Sequence, residues 1–254
     1  RHQLHQILQS INYQLQFPQN AAPMYYDPII IDLNKDGTTT SKLNGAVNFD
    51  IDNNGFKEAT GWISKDDAFL AYDRNGNGKI DNGSELFGDK TIADTQRGYT
   101  SKTAKNGFEA LKAFDTNHDN IIDGRDEEFD KLLLWQDKNS NAVTDEGELY
   151  SLKDKNIKSI DLNYREVNID SSGNFIKQTS TVTFNDNTTP TADDVWFKVD
   201  LKDTEQSDMD LPLDIKVLPE VYAFGNIYNL RNAMSMDNGL ADAVRGYIAL
   251  NQET

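Results

Sequence analysis

Asp115-Thr-Asn117-His-Asp119-Asn120-Ile-Ile122-Asp123-Gly-Arg-Asp126 is followed eleven residues later by Asp137-Lys-Asn139-Ser-Asn141-Ala142-Val-Thr-Asp145-Glu-Gly-Glu148. In each stretch oxygen-bearing side chains fall at positions 1, 3, 5, 9 and 12. Calcium asks for this spacing of a short loop: a hard cation takes about six to eight oxygens, and a position-12 acid supplies two of them. Ile122 takes the apolar position 8. Position 6, usually Gly, is Asn120 or Ala142; Asn tolerates a left-handed backbone, whereas Ala is mildly strained there. Glu109 to Phe114 and Glu128 to Trp135 read as helices entering the two loops. The pair therefore predicts the helix–loop–helix context of an EF-hand.

Working outward, three more loops lie upstream. They are Asp32-Leu-Asn34-Lys-Asp36-Gly37, Asp50-Ile-Asp52-Asn-Asn54-Gly55 and Asp73-Arg-Asn75-Gly-Asn77-Gly78. The third continues to Asp81 at position 9, but its acid, Glu85, arrives one residue late. The first two have no acid at position 12, and Asp66 or Asp67 could complete one from a distance. Since Asp, Asn and Gly also dominate plain turns, ordinary turn chemistry is the competing reading of these two. Ile29-Ile30-Ile31 reads as a short buried strand, and Gly61-Trp62-Ile63 and Phe69-Leu70-Ala71-Tyr72 supply core.

From Ile157 the apolar period becomes two. Lys158 to Asn163, Phe175 to Phe184 and Val195 to Val199 read as strands, separated by turns at 171–174 and 185–187. Residues 201–214 read as an acidic connector, and Tyr228 to Met236 with Leu240 to Leu250 as a helical hairpin. At the other end Leu4, Ile7, Leu8, Ile11 and Leu15 share one helical face, Pro18 ends that helix, and Gln19 to Tyr26 reads as a linker. The expected fold class is α+β: a calcium-loop module with an EF-hand-like pair and small antiparallel strands, flanked by helices.

The chain has 254 residues, 42 acidic against 25 basic, for a formal charge of −17. That balance disfavours nucleic acid, whose phosphates need clustered Lys and Arg. Five divalent ions carry ten positive charges and would bring −17 to −7, so folding should be linked to metal. Without cysteine there is no thiol catalysis, disulfide or zinc–thiolate site. Arg1 in place of an initiator Met marks part of a longer protein, and no signal peptide or membrane-inserting run is visible. Cytosolic free calcium is too low to fill weak loops, so the expected location is secreted, extracellular or on a bacterial surface. His2, His5 and His118 read as surface residues, and Trp62, Trp135 and Trp196 as core. No Gly-rich phosphate loop or nucleophile elbow is present.

Five residues ahead of the first loop stands Asp27-Pro28. The Asp27 carboxylate can attack its own carbonyl carbon and close a five-membered anhydride. The departing proline nitrogen is comparatively basic and easier to protonate than an ordinary amide. A proton donor and stabilisation of the oxyanion are also needed, and Tyr25 and Tyr26 are adjacent donor candidates. An ion bound by the loop starting at Asp32 could lock the geometry of this bond.

The ordered series resembles the self-processing module of FrpC-type RTX proteins, which Gram-negative bacteria secrete. It comprises Tyr26-Asp27-Pro28-Ile-Ile-Ile-Asp32-Leu-Asn-Lys-Asp36-Gly37, Ala59-Thr60-Gly61-Trp62, Asp73-Arg-Asn-Gly-Asn-Gly78, Ile80 to Asp89, Gly107-Phe108-Glu-Ala-Leu111, Leu134-Trp135-Gln136-Asp137 and Ser159 to Tyr164. The resemblance implies calcium-triggered autocatalytic cleavage of Asp27-Pro28. Ligation of the new C-terminal Asp27 to a lysine ε-amine, of the same or another protein, would follow. The implied organisation is residues 1–27 as a released helix and linker, 28–200 as the self-processing module, and 201–254 as connector and hairpin. Asn34 stands where the family commonly has Asp, which implies a weaker first site. The alternative function is a non-catalytic, calcium-stabilised structural or binding segment in which Asp27-Pro28 is incidental.

Overall fold

Short strand-forming runs alternate with the acidic loops from Met24 onward. The computed structural model describes residues 24–91, 103–206, 209–223 and 227–252. Its strands are β1 (Met24–Tyr26), β2 (Ile29–Ile31), β3 (Thr40–Ser41), β4 (Asn48–Phe49), β5 (Phe56–Thr60), β6 (Trp62–Ile63) and β7 (Ala68–Ala71). They continue as β8 (Ile121–Asp123), β9 (Leu133–Trp135), β10 (Leu149–Ser151), β11 (Ile157–Asp161), β12 (Arg165–Ser171), β13 (Asn174–Phe184) and β14 (Thr191–Gln206). The helices are α1 (Gly107–Leu111), α2 (Leu213–Lys216), α3 (Leu230–Met236) and α4 (Asn238–Gln252).

The main sheet is curled and entirely antiparallel, in the order β10-β9-β7-β2-β14-β13-β11-β8. β14 is its spine. On one edge β14 pairs with β13, and on the other with β2 and then β1, while its distal half also pairs with β5. Apolar residues fill both faces, so the central strands read as nearly continuous apolar runs. Ile29 and Ile31 point into one core with Phe108, Leu111 and Leu134. Ile30 points into the other with Trp62, Phe69, Trp135 and Phe197. A third, small cluster of Ile215, Leu218, Met234 and Ala241 joins the C-terminal helices.

The expected α+β fold with an EF-hand-like helix–loop–helix pair is therefore corrected to a mainly antiparallel β architecture with a few short helices. One short helix does precede the fourth loop: α1, capped by Asn106, whose side chain accepts the Glu109 N–H at 2.8 Å, runs on through a 3-10 turn at Lys112–Phe114. No α-helix leaves that loop; β8 lies within it, and a 3-10 turn at Phe129–Lys131 follows. The helix expected over Glu128 to Trp135 is a 3-10 turn, Phe129–Lys131, followed by β9. The run Leu132-Leu133-Leu134-Trp135 is apolar at consecutive positions, as a strand between β7 and β10 requires, rather than on one helical stripe.

The strand expected at 158–163 overlaps β11, which ends at Asp161, and those expected at 175–184 and 195–199 form parts of β13 and β14. The hairpin expected at 228–250 corresponds to α3 and α4. β14 runs on to Gln206, six residues into the acidic stretch read as connector, and Met24–Tyr26 of the supposed linker is a strand. The helix expected over residues 1–16 lies outside the described residues. No described helix is long and apolar enough to cross a membrane.

Candidate functional site

All five acidic loops follow one backbone path. The position-1 carboxylate folds over to accept the N–H of position 6. The pairs are Asp32–Gly37 at 3.0 Å, Asp50–Gly55 at 2.9 Å, Asp73–Gly78 at 2.8 Å, Asp115–Asn120 at 2.9 Å and Asp137–Ala142 at 2.8 Å. Positions 4 and 6 have positive φ throughout, with Ala142 at 55°, a conformation that costs a side-chain-bearing residue about 1–2 kcal/mol. In three loops a buried acid closes the turn by accepting the N–H groups of positions 2 and 9. Asp126 takes those of Thr116 and Asp123, and Glu148 those of Lys138 and Asp145. Glu85, one residue late, does the same for Arg74 and Asp81.

The exposed and half-buried acids of these three loops have internal counterparts. Asn75 and Asn77 donate to Asp81, Asn139 and Asn141 donate to Asp145, and Arg125 pairs with Asp119 and Asp123. Asn117 accepts the Asp119 N–H, as Asn34 accepts that of Asp36.

The first two loops find their extra acids in neighbouring strands and turns. Glu58, on β5, is fully buried and converges with Asp50 and Asp52, one carboxylate oxygen of each lying within 4.8 Å of the others. Asp52 Oδ1 and Glu58 Oε2 have no hydrogen-bond partner. Burial, then repulsion from Asp52 and Asp50, pushes Glu58 up to about 8. Asn54 donates to Glu58 at 3.2 Å. Asp67 serves the first loop: it accepts the Thr39 N–H at 3.3 Å, and its other oxygen is buried without a partner. Burial, opposed by that N–H and reinforced by Asp32 and Asp36, pushes Asp67 up to about 7. Unpartnered buried carboxylate oxygens in an all-oxygen donor set fit a hard divalent cation. Glu58 is position 9 of its loop, so counting onward from Asp50 would have found it.

Asp27-Pro28 lies inside the sheet, at the break between β1 and β2. The register pairs Tyr26 with Phe197 and Ile29 with Asp194, which sets the bond opposite Val195 and Trp196 of β14. Val195 N–H donates to the Pro28 carbonyl at 3.0 Å. On the other side Ile29 N–H donates to Phe87 at 2.9 Å, and Pro28 forms a bridge with Gly88. Gly88 packs so tightly that a Cβ there would stand 1.5 Å from the Asp27 carbonyl oxygen. Proline brings no N–H and is normally confined to strand edges or bulges, so its place beside the spine calls for a reason.

The Asp27 carboxyl is buried. Oδ1 accepts the Asp89 N–H at 2.8 Å, while Oδ2 has no partner. Asp194, fully buried on β14, accepts the Gly107 N–H at 2.7 Å on Oδ2 and leaves Oδ1 unpartnered. Burial, then the charges of Asp194 and Asp89, holds Asp27 well above the carboxylate range. Burial pushes Asp194 up to about 7, against the Gly107 N–H and a hydrogen bond with Asp27 that favour its ionised form. Sequence reasoning passed over Asp194 and Asp89. The available signal was Asp193-Asp194 leading directly into the apolar run Val195-Trp196-Phe197, where buried acids need a partner or a task.

The second and third loops frame this bond. Tyr26 donates its hydroxyl to Asp52 at 3.0 Å, and burial together with Asp52 raises its pKa. This candidate donor thus points into the second loop. Tyr25 packs edge-on against Phe175. Gly83 N–H donates to the Asp50 carbonyl at 2.8 Å, joining the second loop to the turn that carries Glu85 and leads to Gly88. A small, partly open cleft lined by Asp27, Pro28, Ile51, Gly88 and Lys90 among others borders the bond. The fourth and fifth loops act at longer range. Phe114, just before Asp115, packs on Phe87 at 5.1 Å, and Trp62 Nε1 donates to Asp137 at 2.7 Å.

The family model of the SPM domain matches residues 29–198. The iron-regulated protein FrpA of Neisseria meningitidis serogroup C is 37% identical over 229 residues, covering 88% of this chain. The chain spans 20% of that relative's length. With the series of motifs around Asp27-Pro28 and the loops, these matches place the chain in the SPM-domain family, as an FrpC-type self-processing module.

Proposed function

We propose that calcium triggers autocatalytic cleavage of the Asp27-Pro28 bond through an aspartic anhydride. The observation that carries this reading is the buried Asp27 carboxyl, with one oxygen that meets no N–H or hydroxyl donor, next to its own carbonyl at a proline held inside the sheet. Oδ2 attacks the Asp27 carbonyl carbon and the Pro28 nitrogen leaves with a proton. Water then opens the anhydride to free Asp27, or a lysine ε-amine opens it to an isopeptide. Lys90 lines the cleft, and a lysine of this chain or of a second protein would compete with water. Calcium in the loops would neutralise the acids around the site and fix Tyr26 and the Gly83–Asp89 segment. The reaction is a single turnover per chain, and the loops suit a secreted setting where calcium is plentiful.

Mass spectrometry of the purified chain tests this. With calcium, a fragment beginning at Pro28 should appear, and an added small primary amine should be found as an amide at Asp27. Asp27→Asn should be inactive while still binding calcium, and Asp27→Glu, which needs a six-membered ring, strongly slowed. Cleavage of Asp27→Asn at the wild-type rate would leave only a calcium-stabilised scaffold.

A further inference from the structure

The anhydride step must take a proton from Asp27 and place one on the Pro28 nitrogen. We propose that Asp194 does both, shuttling one proton from the attacking carboxyl to the leaving nitrogen. The inference rests on the cleavage reaction above and assigns its acid–base residue.

Asp194 pairs with Ile29 in the ladder, and the alternation of a strand puts the side chains of Ile29 and Asp27 on the same face as that of Asp194. Two carboxyls in contact and away from water cannot both ionise, so they hold a proton in common. Three carboxylate oxygens here meet no N–H or hydroxyl donor, Asp27 Oδ2, Asp194 Oδ1 and Asp89 Oδ1, and a proton shared between Asp27 and Asp194 satisfies the first two together. Each carboxyl accepts one N–H, Asp27 Oδ1 from Asp89 and Asp194 Oδ2 from Gly107; Asp27 faces the charges of both Asp194 and Asp89, which leaves the resting proton on Asp27.

The step balances within the chain. Asp27 Oδ2 releases its proton to Asp194 Oδ1 as it bonds to the Asp27 carbonyl carbon, and the carbonyl π pair moves onto its oxygen. Asp194 then passes the proton to the Pro28 nitrogen as that nitrogen departs with the C–N pair and the carbonyl re-forms. The products are the Asp27 anhydride and the secondary amine of Pro28. Asp194 ends ionised, as it began.

The other charged groups facing this pair are Asp89, ion-paired with Lys90 at 3.5 Å, and Glu166 on β12, held by Gln178 at 2.8 Å. Asp89 also approaches Asp27 and is the rival for the role.

The experiment follows cleavage rates at saturating calcium for wild type, Asp194→Asn, Asp194→Glu and Asp89→Asn, with near-ultraviolet dichroism reporting the fold. Asp194→Asn should keep the wild-type spectrum and cleave at least about a hundredfold more slowly, the usual scale of a lost general acid–base. Asp194→Glu, which retains a carboxyl, should recover part of the rate. The wild-type rate should be bell-shaped in pH, falling in acid when both carboxyls hold protons and in alkali when the shared proton is gone. If Asp194→Asn fails to fold, that profile decides, and a flat one overturns the proposal. Wild-type speed in Asp194→Asn, or a loss confined to Asp89→Asn, overturns the role of Asp194 alone. A wild-type chain that never cleaves overturns the reaction itself.

Discussion

A proline between two strands leaves a ladder position with no donor, and at Pro28 the backbone of Gly88 fills the space beside it. A Cβ at Gly88 would come within 1.5 Å of the Asp27 carbonyl oxygen and 2.7 Å of its carbon. Both neighbours are backbone, so neither can swing aside as a flexible side chain would. Gly88→Ala should therefore displace the scissile peptide, slow cleavage markedly and cost about 1–3 kcal/mol in stability, as overpacking does. Fragment yield and urea midpoints, both with calcium, check this; wild-type cleavage in Gly88→Ala would mean that Gly88 does not hold the bond. The chemistry of Asp27 and Pro28 was legible from their identities. The contacts with Gly88, Asp89 and Asp194 were not, since these residues lie about 60 and 167 positions away in sequence and meet only through strand pairing.

At the scale of an element, the second loop joins metal affinity to the site through Asp52 and Tyr26. Its acids repel one another, and Glu58 has its pKa raised from 4.5 to about 8 by burial, then by Asp52 and Asp50. A carboxyl raised on folding contributes stability that is fully present below its unfolded value and lost as pH rises through its folded one. In chelator at pH above 8, Glu58→Gln should therefore be more stable than wild type, with the advantage fading towards pH 4.5. In calcium the sign should reverse, because Gln is a poorer ligand than a carboxylate. Urea midpoints across pH, with and without calcium, give the comparison; one sign in both conditions would remove Glu58 from the site. Loop spacing was readable because positions 1, 3, 5 and 6 are local. The helix expected before the fifth loop was misread because Leu132 to Trp135 is apolar in a pattern that fixes burial, not strand or helix.

Across the whole molecule, a formal charge of −17 is concentrated in loops wrapped around a curled sheet. Filling two loops at about a hundredfold excess over Kd would add about 5 kcal/mol, or roughly 10–20 °C in Tm for a chain of this size. Calcium should raise the melting temperature by this order and sharpen the near-ultraviolet dichroism. The reporters are Trp62 and Trp135, fully buried with ring centroids 5.7 Å apart, and Trp62 also donates to Asp137 of the fifth loop. Equal melting temperatures in calcium and chelator would refute calcium control.

The sequence by itself determined the five loops, much of β11, β13 and β14 and the marked bond Asp27-Pro28, because turn geometry, strand alternation and anhydride chemistry depend on near neighbours; β12 and the distal part of β14 it did not reveal. Only the tertiary structure decided that the loops hang from an antiparallel sheet rather than an EF-hand pair. It alone seated the Asp-Pro bond against β14 and brought Asp194 and Asp67 to their sites. Those placements come from register between strands far apart in the chain, which is set by packing on both faces of the sheet and leaves no local pattern.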